Sequence, residues 1–426
     1  MKILLLGSGG REHAMAWKMA QSPMVEQIIA LPGSDGIAAI DKVSCAAGNA
    51  TDIDTVIAAA KEIAADLVVI GPEAPLAAGV SDALEQAGFA VMGPSQAAAQ
   101  LESSKIFSKI FMTTAGIPTA LFVVCDSYDA AMEALKQWPV EDAGVVVKAD
   151  GLAAGKGVVV THDRAEAEKA IHDFMRDPAC SVKTDRLLLE YKMTGREVSA
   201  FALCDGESFV TLGYACDYKR VFDDDKGPNT GGMGGYAPEG WPSDAAKKFI
   251  EENVFSKVLA GMNAAGIPFK GILFAGLMVD GDDVNVIEFN TRFGDPEAQI
   301  LLPLIEDDIV PLFDAAAKGK LDTAKKLSFR QGTAVHVVMA SGGYPETHGT
   351  GMTLEQEITL PDMSNDNACL FIAGAKKKDG AWVNSGGRVL GVTALGATRE
   401  EARAKAYEAI GQIKFKGAHW RTDIAS

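Results

Sequence analysis

The chain has 426 residues, of which 48% are hydrophobic, and this is enough to build several domains, each with its own core. Its formal net charge of -17 at pH 7 argues against a general nucleic-acid binder, because such a protein needs clustered Lys and Arg to displace counterions. The charge does not exclude small phosphorylated ligands, which glycine loops and a few local cations hold.

The start of the chain and its cysteines predict a cytoplasmic protein. Lys2 precedes an apolar run at 3–6 that is too short for the apolar region of a signal peptide. No uncharged apolar run reaches the roughly 18 residues of a membrane helix. The six cysteines lie at none of the spacings of metal sites or redox motifs. We therefore predict reduced thiols, and partners that include neither nucleic acid nor membrane.

In the first part of the chain, short apolar strands alternate with Gly/Pro turns and Ala-rich helices. Strands are predicted at 3–6, 28–31, 67–70 and 89–92. This alternation predicts a doubly wound parallel α/β sheet, and entirely apolar strands are typical of a sheet that helices cover on both faces. Gly93-Pro94 and a predicted helix at 97–112 place a domain boundary near residue 101.

A glycine-rich turn, Gly-Ser-Gly-Gly-Arg-Glu-His at 7–13, follows the first strand and opens a helix, which presents backbone N–H groups to an anion. The alternative is a tight turn that needs glycine only for its backbone conformation. A dinucleotide site would have glycine three residues after Gly9, where Glu12 would crowd a pyrophosphate, so a monophosphate fits better. Glu73, after the third strand, is a candidate for ribose hydroxyls or an amine, or else a solvated carboxylate.

The rest of the chain divides into three parts. Residues 119–191 indicate a small α/β subdomain with helices at 127–137 and 163–176. Residues 192–325 have strands at 198–204, 272–279 and 284–289 and a helix at 243–265. The last part opens with a strand at 333–339 and ends in a helix at 399–412.

The segment 145–160 runs strand, glycine loop, strand, and predicts a flap that folds over a triphosphate. It resembles a Walker loop, but its spacing is one residue short and no Ser or Thr follows Lys156. Lys148 lies in an otherwise apolar strand and needs an anionic partner, which indicates the α- and β-phosphates. The alternative is a lysine that extends to solvent from a sheet edge.

An apolar strand at 187–191 ends in Glu190 and Tyr191, and Glu197 follows it. Such a hinge can accept an adenine, with Glu197 on the ribose hydroxyls. The alternative for both glutamates is an ordinary surface position.

Lys219 and Arg220 precede a loop at 227–235 that contains Asn229 and five glycines. So many glycines cost conformational entropy, and a purely structural loop rarely needs them. We therefore favour contact between this loop and phosphate.

The segment 286–297 carries the strongest chemical signal. Residues two apart on a strand share a face, so Glu288 and Asn290 are predicted to project together, while Ile287 and Phe289 face the core. Two oxygen ligands side by side suit Mg²⁺. Arg292 adds a bidentate donor for a carboxylate or phosphate. The alternative is a half-exposed edge strand.

Together these segments resemble the glycinamide ribonucleotide synthetases (phosphoribosylamine-glycine ligases), a family of the ATP-grasp superfamily. The resemblance extends from Met1 to about Ile424. The stretches that carry it are 7–13, 71–75, 93–94, 98–101 with Lys105, 148–157, 227–234, 288–297 and 386–389.

The resemblance implies an N-terminal α/β domain at 1–101, an ATP-grasp core at 102–327 with a mobile lid at about 120–190, and a small C-terminal α+β domain at 328–426. Its implied ligands are ATP, Mg²⁺ or Mn²⁺, glycine and 5-phosphoribosylamine. The expected assembly is a monomer or a weak homodimer.

It also implies site residues. The nucleotide is assigned to Lys105, Lys148, Glu190, Tyr191, Glu197, Lys219 and Asn229, and the metal to Glu288 and Asn290. Phosphoribosylamine is assigned to Gly9, Gly10, Arg11, Glu12, Gly33 and Glu73. The catalytic residues are Lys219, Arg292 and Asp295, the last two for the carboxylate and amine of glycine.

The implied reaction has two steps. The glycine carboxylate attacks the γ-phosphate to give glycyl phosphate, and the amine of phosphoribosylamine then displaces phosphate to form an amide. Side chains take little part in the covalent chemistry, so they act mainly by positioning the substrates and neutralising charge. Good alignment lowers the activation barrier by roughly 7 to 11 kcal/mol.

Some positions depart from the family pattern. Ser34 and Asp35 stand in a turn that is usually Pro-Gly-Asn followed by Gly-Thr. Cys216 and Tyr218 replace the Gln and His of a usual Gln-Asp-His-Lys-Arg, and Arg196 replaces a common acidic residue. We expect these departures to bear on substrate affinity.

Two rival functions remain open. A nicotinamide-dependent oxidoreductase would explain the N-terminal glycines but neither the flap nor the pair of Glu288 and Asn290, and it would bind a dinucleotide rather than ATP. Another ATP-grasp carboxylate-amine ligase would keep the fold with a different acid or amine. The motifs Gly-Arg-Glu-His and Gly-Pro-Asn-Thr-Gly-Gly-Met-Gly argue against it.

Overall fold

The computed structural model describes residues 1–153, 156–324, 326–345, 351–361 and 368–426. Within these ranges the fold is mixed α/β, with a parallel sheet at the N-terminus and antiparallel sheets after it. None of the helices in the described ranges is long and apolar enough to cross a membrane.

The N-terminal part is a parallel sheet between two layers of helices. Its strands are β1 (Lys2–Gly7), β2 (Gln27–Pro32), β3 (Val43–Cys45), β4 (Leu67–Ile70) and β5 (Val91–Met92). Its helices are α1 (Gly10–Ala20), α2 (Asp35–Ala38), α3 (Ile53–Glu62), α4 (Glu73–Ala77) and α5 (Val80–Gln86). The strand order is β3-β2-β1-β4-β5.

The apolar runs of this sheet occur where its strands are buried on both faces, as predicted. On β1, Ile3 and Leu5 join one buried cluster and Leu4 and Leu6 join another, so both faces of the strand are covered. The predicted doubly wound sheet is confirmed. The apolar pattern does not predict β3, which has three residues and is mostly exposed.

Two helices, α6 (Gln100–Ser103) and α7 (Lys105–Thr114), follow. The prediction of one helix at 97–112 is wrong, because Ser104 has extended backbone angles and ends α6. Its side chain accepts a hydrogen bond from Phe107 N and so begins α7 as an N-cap.

The next part, where the lid is predicted, is a four-stranded antiparallel sheet with helices, called the lid sheet below. Its elements are β6 (Phe122–Cys125), α8 (Tyr128–Gln137), α9 (Val140–Ala143), β7 (Val145–Ala149), β8 (Val158–Thr161), α10 (Arg164–Met175) and β9 (Leu187–Tyr191). The strand order is β6-β9-β7-β8. Lys148 on β7 and Glu190 on β9 therefore lie on neighbouring strands. The glycine loop of this lid includes residues 154–155, which lie outside the described residues.

A long antiparallel sheet occupies the centre of the molecule. Its first part comprises β10 (Arg196–Asp205), β11 (Phe209–Asp217), β14 (Gly234–Tyr236), β15 (Lys270–Asp280) and β16 (Asp283–Asn290). A hairpin of β12 (Arg220–Phe222) and β13 (Lys226–Asn229) projects between β11 and β14. The helices are α11 (Asp244–Ile250), a π-helical turn (Glu251–Phe255), α12 (Ser256–Ala264), α13 (Glu297–Leu301) and α14 (Val310–Ala317).

The C-terminal part adds β17 (Thr333–Ala340), β18 (Ala368–Ile372), β19 (Ala375–Lys378), β20 (Ala381–Asn384), β21 (Arg388–Gly396) and α15 (Arg399–Gln412). Three of these strands continue the central sheet, whose order is β16-β15-β10-β11-β14-β17-β21-β18. The central and C-terminal parts therefore share one backbone hydrogen-bond network and one apolar core.

Candidate active site

Buried charges meet where the lid sheet contacts β16. The Lys148 ammonium lies 3.0 Å from Glu190 Oε2 and donates a hydrogen bond to Ile287 O at 3.2 Å. Lys148 is 4% exposed and Glu190 is 1% exposed. The alternatives of a solvated lysine and of a surface position for Glu190 are therefore wrong.

Glu190 also pairs with a lysine that the sequence pattern does not single out. Lys109 on α7 lies 2.8 Å from the same Oε2 atom. A lysine in an amphipathic helix usually reaches solvent, so the pattern carries no sign of this burial. The neighbouring Tyr191 ring packs on Trp138, with ring centroids 4.4 Å apart.

Glu288 is the carboxylate around which the cations gather. Burial opposes its ionisation, but the charges of Lys148, Lys219, Lys105 and Arg292 outweigh that effect and lower its pKa. Glu288 therefore stays ionised at neutral pH. The cations beside this carboxylate are donors that suit the oxygens of a bound polyphosphate.

A β-bulge at Ile287 determines which side chains of β16 reach the site. Gly276 pairs with Glu288 and Leu277 with Val286, so Ile287 has no counterpart on β15. Val286 and Phe289 both enter the core, whereas Ile287 is only half-buried. The prediction that Ile287 faces the core is therefore wrong, because the bulge reverses the alternation there.

Arg292 is held by several acceptors at the end of β16. Its Nη2 atom lies 2.7 Å from Glu102 Oε1 and donates to Asn290 Oδ1 at 3.2 Å, and its Nε atom donates to Glu73 Oε2 at 3.3 Å. Burial opposes ionisation of Glu73, but Arg292 and Arg11 lower its pKa. This network links Asn290 to the N-terminal domain.

Lys219, which lies between β11 and β12, also belongs to the site. Its ammonium donates to Glu197 Oε2 at 2.5 Å. Burial alone would lower the pKa of Lys219, but Asp217, Glu197 and Glu288 raise it, so the side chain stays charged. The backbone of Lys219 also accepts hydrogen bonds from the amide and hydroxyl of Thr230, which bring Asn229 beside it.

The carboxyl ends of β1, β2 and β4 surround a pocket of about 260 Å³. Its lining includes Gly9 and Glu12, which the sequence predicts, and Asn49 and Thr51, which the sequence gives no reason to choose. Glu12 accepts a hydrogen bond from Gly9 N at 2.7 Å and lies so close to Gly7 that a Cβ there would overlap it. Glu12 thus fills the turn where a dinucleotide would place its pyrophosphate.

Other predicted residues lie next to this pocket rather than in its lining. The Arg11 guanidinium turns toward β16 and donates to Phe293 O at 3.1 Å. Gly33 has a φ of 67°, and a Cβ on it would overlap Cys45. Gly10 faces Gln299.

Asp295 connects the pocket to the glycine-rich loop. A Cβ built on Gly9 would lie 3.6 Å from Asp295 Oδ2, and Gln299 donates to the Asp295 carboxylate at 2.7 Å. Arg388, from the 386–389 motif, lies 3.3 Å from Asp295 Oδ1 and donates to Asp295 O and Gly231 O, each at 2.7 Å. No role for Arg388 follows from the sequence, because its partners are distant along the chain.

Glu288 and Asn290 have the donor chemistry of a magnesium site. The strand period predicts both side-chain oxygens on one face of β16, and Mg²⁺ in such sites takes its other ligands from phosphates and water. The described residues contain no group of three or more His, Cys, Asp or Glu side chains that would hold a metal by themselves. The pair therefore fits a metal shared with a phosphorylated ligand.

Comparison with known proteins identifies the family. Models of the phosphoribosylglycinamide synthetase N domain, ATP-grasp (A) domain and C domain match residues 1–102, 103–298 and 334–426. The chain belongs to the phosphoribosylglycinamide synthetase family. The resemblance inferred from the sequence motifs is thereby confirmed.

Phosphoribosylglycinamide synthetases of known sequence and structure match over the whole chain. The phosphoribosylamine-glycine ligase of Caulobacter vibrioides is 45% identical over 425 residues, which cover 100% of this chain and 97% of the relative. The ligase of Chlorobaculum tepidum is 42% identical, and the match covers 100% of this chain and 99% of the relative. The crystal structure of the Thermotoga maritima ligase has a TM-score of 0.86 at 34% identity and covers 100% of both chains.

A more distant structure shares only the fold. Biotin carboxylase from Campylobacter jejuni, solved as a beta-gamma-ATP complex, superposes with a TM-score of 0.72 at 17% identity. It covers 100% of this chain and 94% of its own. The predicted ATP-grasp architecture is confirmed by the ATP-grasp (A) domain model, which matches residues 103–298.

The departures from the phosphoribosylglycinamide synthetase pattern have structural partners away from the cation cluster. Asp35 accepts a hydrogen bond from Lys377 N at 2.6 Å, at the start of a C-terminal hairpin. The Tyr218 hydroxyl accepts one from Ala425 N at 3.1 Å. Arg196 donates to the Tyr236 hydroxyl and packs over Trp241.

Proposed function

We propose that the charged cleft between the lid sheet, β16 and the N-terminal pocket is where this ATP-dependent ligase joins glycine to 5-phosphoribosylamine. The products are glycinamide ribonucleotide, ADP and phosphate, and the reaction is a step of purine biosynthesis. The observation that carries the assignment is the convergence beside Glu288 of Lys148, which donates to Ile287 O, and Arg292, which pairs with Glu73 of the N-terminal domain.

We assign the nucleotide to the lid side of the cleft. Lys148, Lys105 and Lys219 supply positive charge for the phosphates, and Glu197 lies beside Lys219 where it can accept ribose hydroxyls. Adenine is assigned to the hinge that follows Glu190. The remaining predicted contacts are Tyr191 and Asn229.

Glu288 and Asn290 would hold Mg²⁺, or Mn²⁺ in its place. When bound, the metal neutralises charge on the phosphate oxygens and favours attack on phosphorus. Arg292 donates to Asn290 Oδ1, so it orients the amide while its own charge stays close to the reacting phosphate.

Phosphoribosylamine is assigned to the N-terminal pocket. A phosphate in this pocket would lie near the amide groups at the start of α1, which suits a single phosphate. Gly9 and Glu12 line this pocket, whereas Gly10, Arg11, Gly33 and Glu73 shape its surroundings. Asp295 lies beside Gly9 and can accept a hydrogen bond from an amine.

The side chains act by positioning the substrates. One carboxylate oxygen of glycine bonds to the γ-phosphorus as the bond to ADP breaks. The amine nitrogen then bonds to the acyl carbon, phosphate leaves, and the nitrogen loses a proton as the amide forms. The lid would exclude water from the acyl phosphate, which water would otherwise hydrolyse.

The assembly and location remain predictions. We propose a monomer or weak homodimer that acts in the cytoplasm. The net charge of -17 supports the expectation that nucleic acid is not a partner.

The test is ADP release with Mg-ATP, glycine and freshly generated phosphoribosylamine, with each substrate omitted in turn and glycine replaced by alanine. We expect ADP and glycinamide ribonucleotide to appear together, and only when all three substrates are present. Sustained ADP release with another acid or amine, but not with this pair, would contradict the substrate assignment and keep the ATP-grasp assignment.

A further inference from the structure

Lys109 is a buried cation at the junction of three elements. It lies on α7 and is 2% exposed. Its ammonium lies 2.8 Å from Glu190 Oε2 on β9 and donates to Thr119 Oγ1 at 2.7 Å. A buried ammonium is costly unless it is paired and hydrogen-bonded, and both conditions hold here.

The contacts of Lys109 continue to the strand that carries Glu288. Thr119 Oγ1, which accepts from Lys109, donates to Val286 O at 2.6 Å. On the other branch, Glu190 pairs with Lys148, which donates to Ile287 O. Both branches therefore end on adjacent carbonyl groups of β16, immediately before Glu288.

Only one of the two carboxylate oxygens of Glu190 has partners among the described residues. Lys109 and Lys148 approach the same oxygen, Oε2, whereas the buried Oε1 atom has no hydrogen-bond partner among the described residues. Lys109 thus balances part of the Glu190 charge that Lys148 would otherwise balance alone. If Lys109 were absent, Glu190 would pair with Lys148 alone and neutralise it, and the positive charge offered to phosphate would fall.

We propose that Lys109 is a positioning residue that holds Glu190 and Lys148 in register with β16, so that the nucleotide contacts and the metal ligands are aligned together. This inference rests on the proposed assignment of Lys148 to the phosphates of ATP. Lys109 acts through Glu190 and Thr119 and does not contact the substrate.

The decisive variant is Lys109→Met, which keeps most of the side-chain length and removes the charge. We expect the KM for ATP and the Mg²⁺ concentration at half-maximal rate to rise about 10-fold. The KM values for glycine and phosphoribosylamine should stay within about 2-fold of wild type. Lys136→Met is the matched control, because Lys136 is an exposed lysine of the lid subdomain, paired with Glu133.

A purely structural role predicts a different result. Lys109→Met would then lower the melting temperature and leave the KM for ATP equal to that of Lys136→Met, which would overturn the proposal. Wild-type enzyme that fails to make glycinamide ribonucleotide would instead overturn the proposed function.

Thr119→Val is a second variant that tests the proposal if Lys109→Met does not fold. It removes the hydroxyl between Lys109 and Val286 O and should raise the KM for ATP in the same direction by a smaller factor. The double variant Glu190→Gln/Lys109→Met should raise the KM for ATP by less than the product of the two single increases, because both substitutions act on one carboxylate. Unchanged KM in Thr119→Val, or fully multiplicative effects, would contradict the proposal.

Discussion

At the scale of single residues, the site depends on charges that lie far apart in the chain. Glu288 is ionised because Lys105, Lys148, Lys219 and Arg292 surround it, and those residues come from four different segments. An isolated carboxylate with the same burial would hold its proton more tightly. The chemistry of Glu288 is therefore a property of its neighbours.

We predict that Glu288→Gln lowers the maximal rate of ADP formation by roughly 100-fold or more, because it removes a negatively charged ligand for the metal. Added Mg²⁺ should restore part of the rate. The control is Glu252→Gln, a change of a largely exposed glutamate that pairs with Lys248. A normal Mg²⁺ titration in Glu288→Gln would argue that the metal binds elsewhere.

At the scale of elements, the C-terminal segment holds the β12–β13 hairpin in place. Arg421 is 1% exposed, lies 2.8 Å from Asp225 Oδ1 and donates to Arg220 O at 3.1 Å. The amide of Thr422 donates to Asp223 Oδ1 at 2.8 Å. The hairpin lies between Lys219 and Asn229, so the end of the chain supports a predicted nucleotide contact.

We predict that Arg421→Met lowers the free energy of unfolding by about 1 to 3 kcal/mol, because buried hydrogen bonds lose their donor. The KM for ATP should also rise, since the hairpin next to Lys219 loses its support. Denaturant unfolding and steady-state kinetics measure the two effects, with exposed Arg330→Met as control. A loss of stability without any change in the KM for ATP would show that the hairpin does not position Lys219.

At the scale of the whole molecule, side-chain contacts join the N-terminal domain to the central and C-terminal parts. His13 on α1 accepts a hydrogen bond at Nδ1 from Ile372 N at 3.1 Å. Asp35 accepts another from Lys377 N. Lys18, also on α1, donates to Ile305 O. The N-terminal domain is thus attached to the rest of the molecule by polar contacts, one of which is made by the titratable imidazole of His13.

We predict that the enzyme loses stability as the pH falls from about 6.5 to 4. Burial lowers the pKa of His13 from 6.5 to about 4, so in this range the unfolded chain binds a proton that the folded chain does not. This shift contributes about 3 kcal/mol to the pH-dependent part of the free energy of unfolding. The contribution is fully present above pH 6.5 and is lost as the pH falls through 4.

His13→Gln should therefore show a shallower loss of stability between pH 6.5 and 4 in denaturant unfolding. Part of the loss should persist, because burial also lowers the pKa of His336, to about 3. The control is His172→Gln, a substitution of an exposed histidine of the lid sheet region. An identical slope in His13→Gln would contradict the assignment.

The sequence by itself determined most of the elements and the family. Apolar runs with glycine turns predict β1, β2 and β4, because a strand covered on both faces must be apolar along its length. The strand that carries Glu288 and Asn290 forms as predicted, and helix α15 begins and ends where its pattern predicts. These features are local, and short-range periodicity encodes them.

The tertiary structure alone decided the partners of the charged residues. The roles of Lys109 and Arg388, the bulge at Ile287 and the joining of β17 to β14 all depend on which distant strands become neighbours. Local periodicity states which side of an element is buried, but not what lies opposite it. A buried lysine and an exposed one look alike in sequence, because only the carboxylate placed beside it by the fold compensates the cost of its burial.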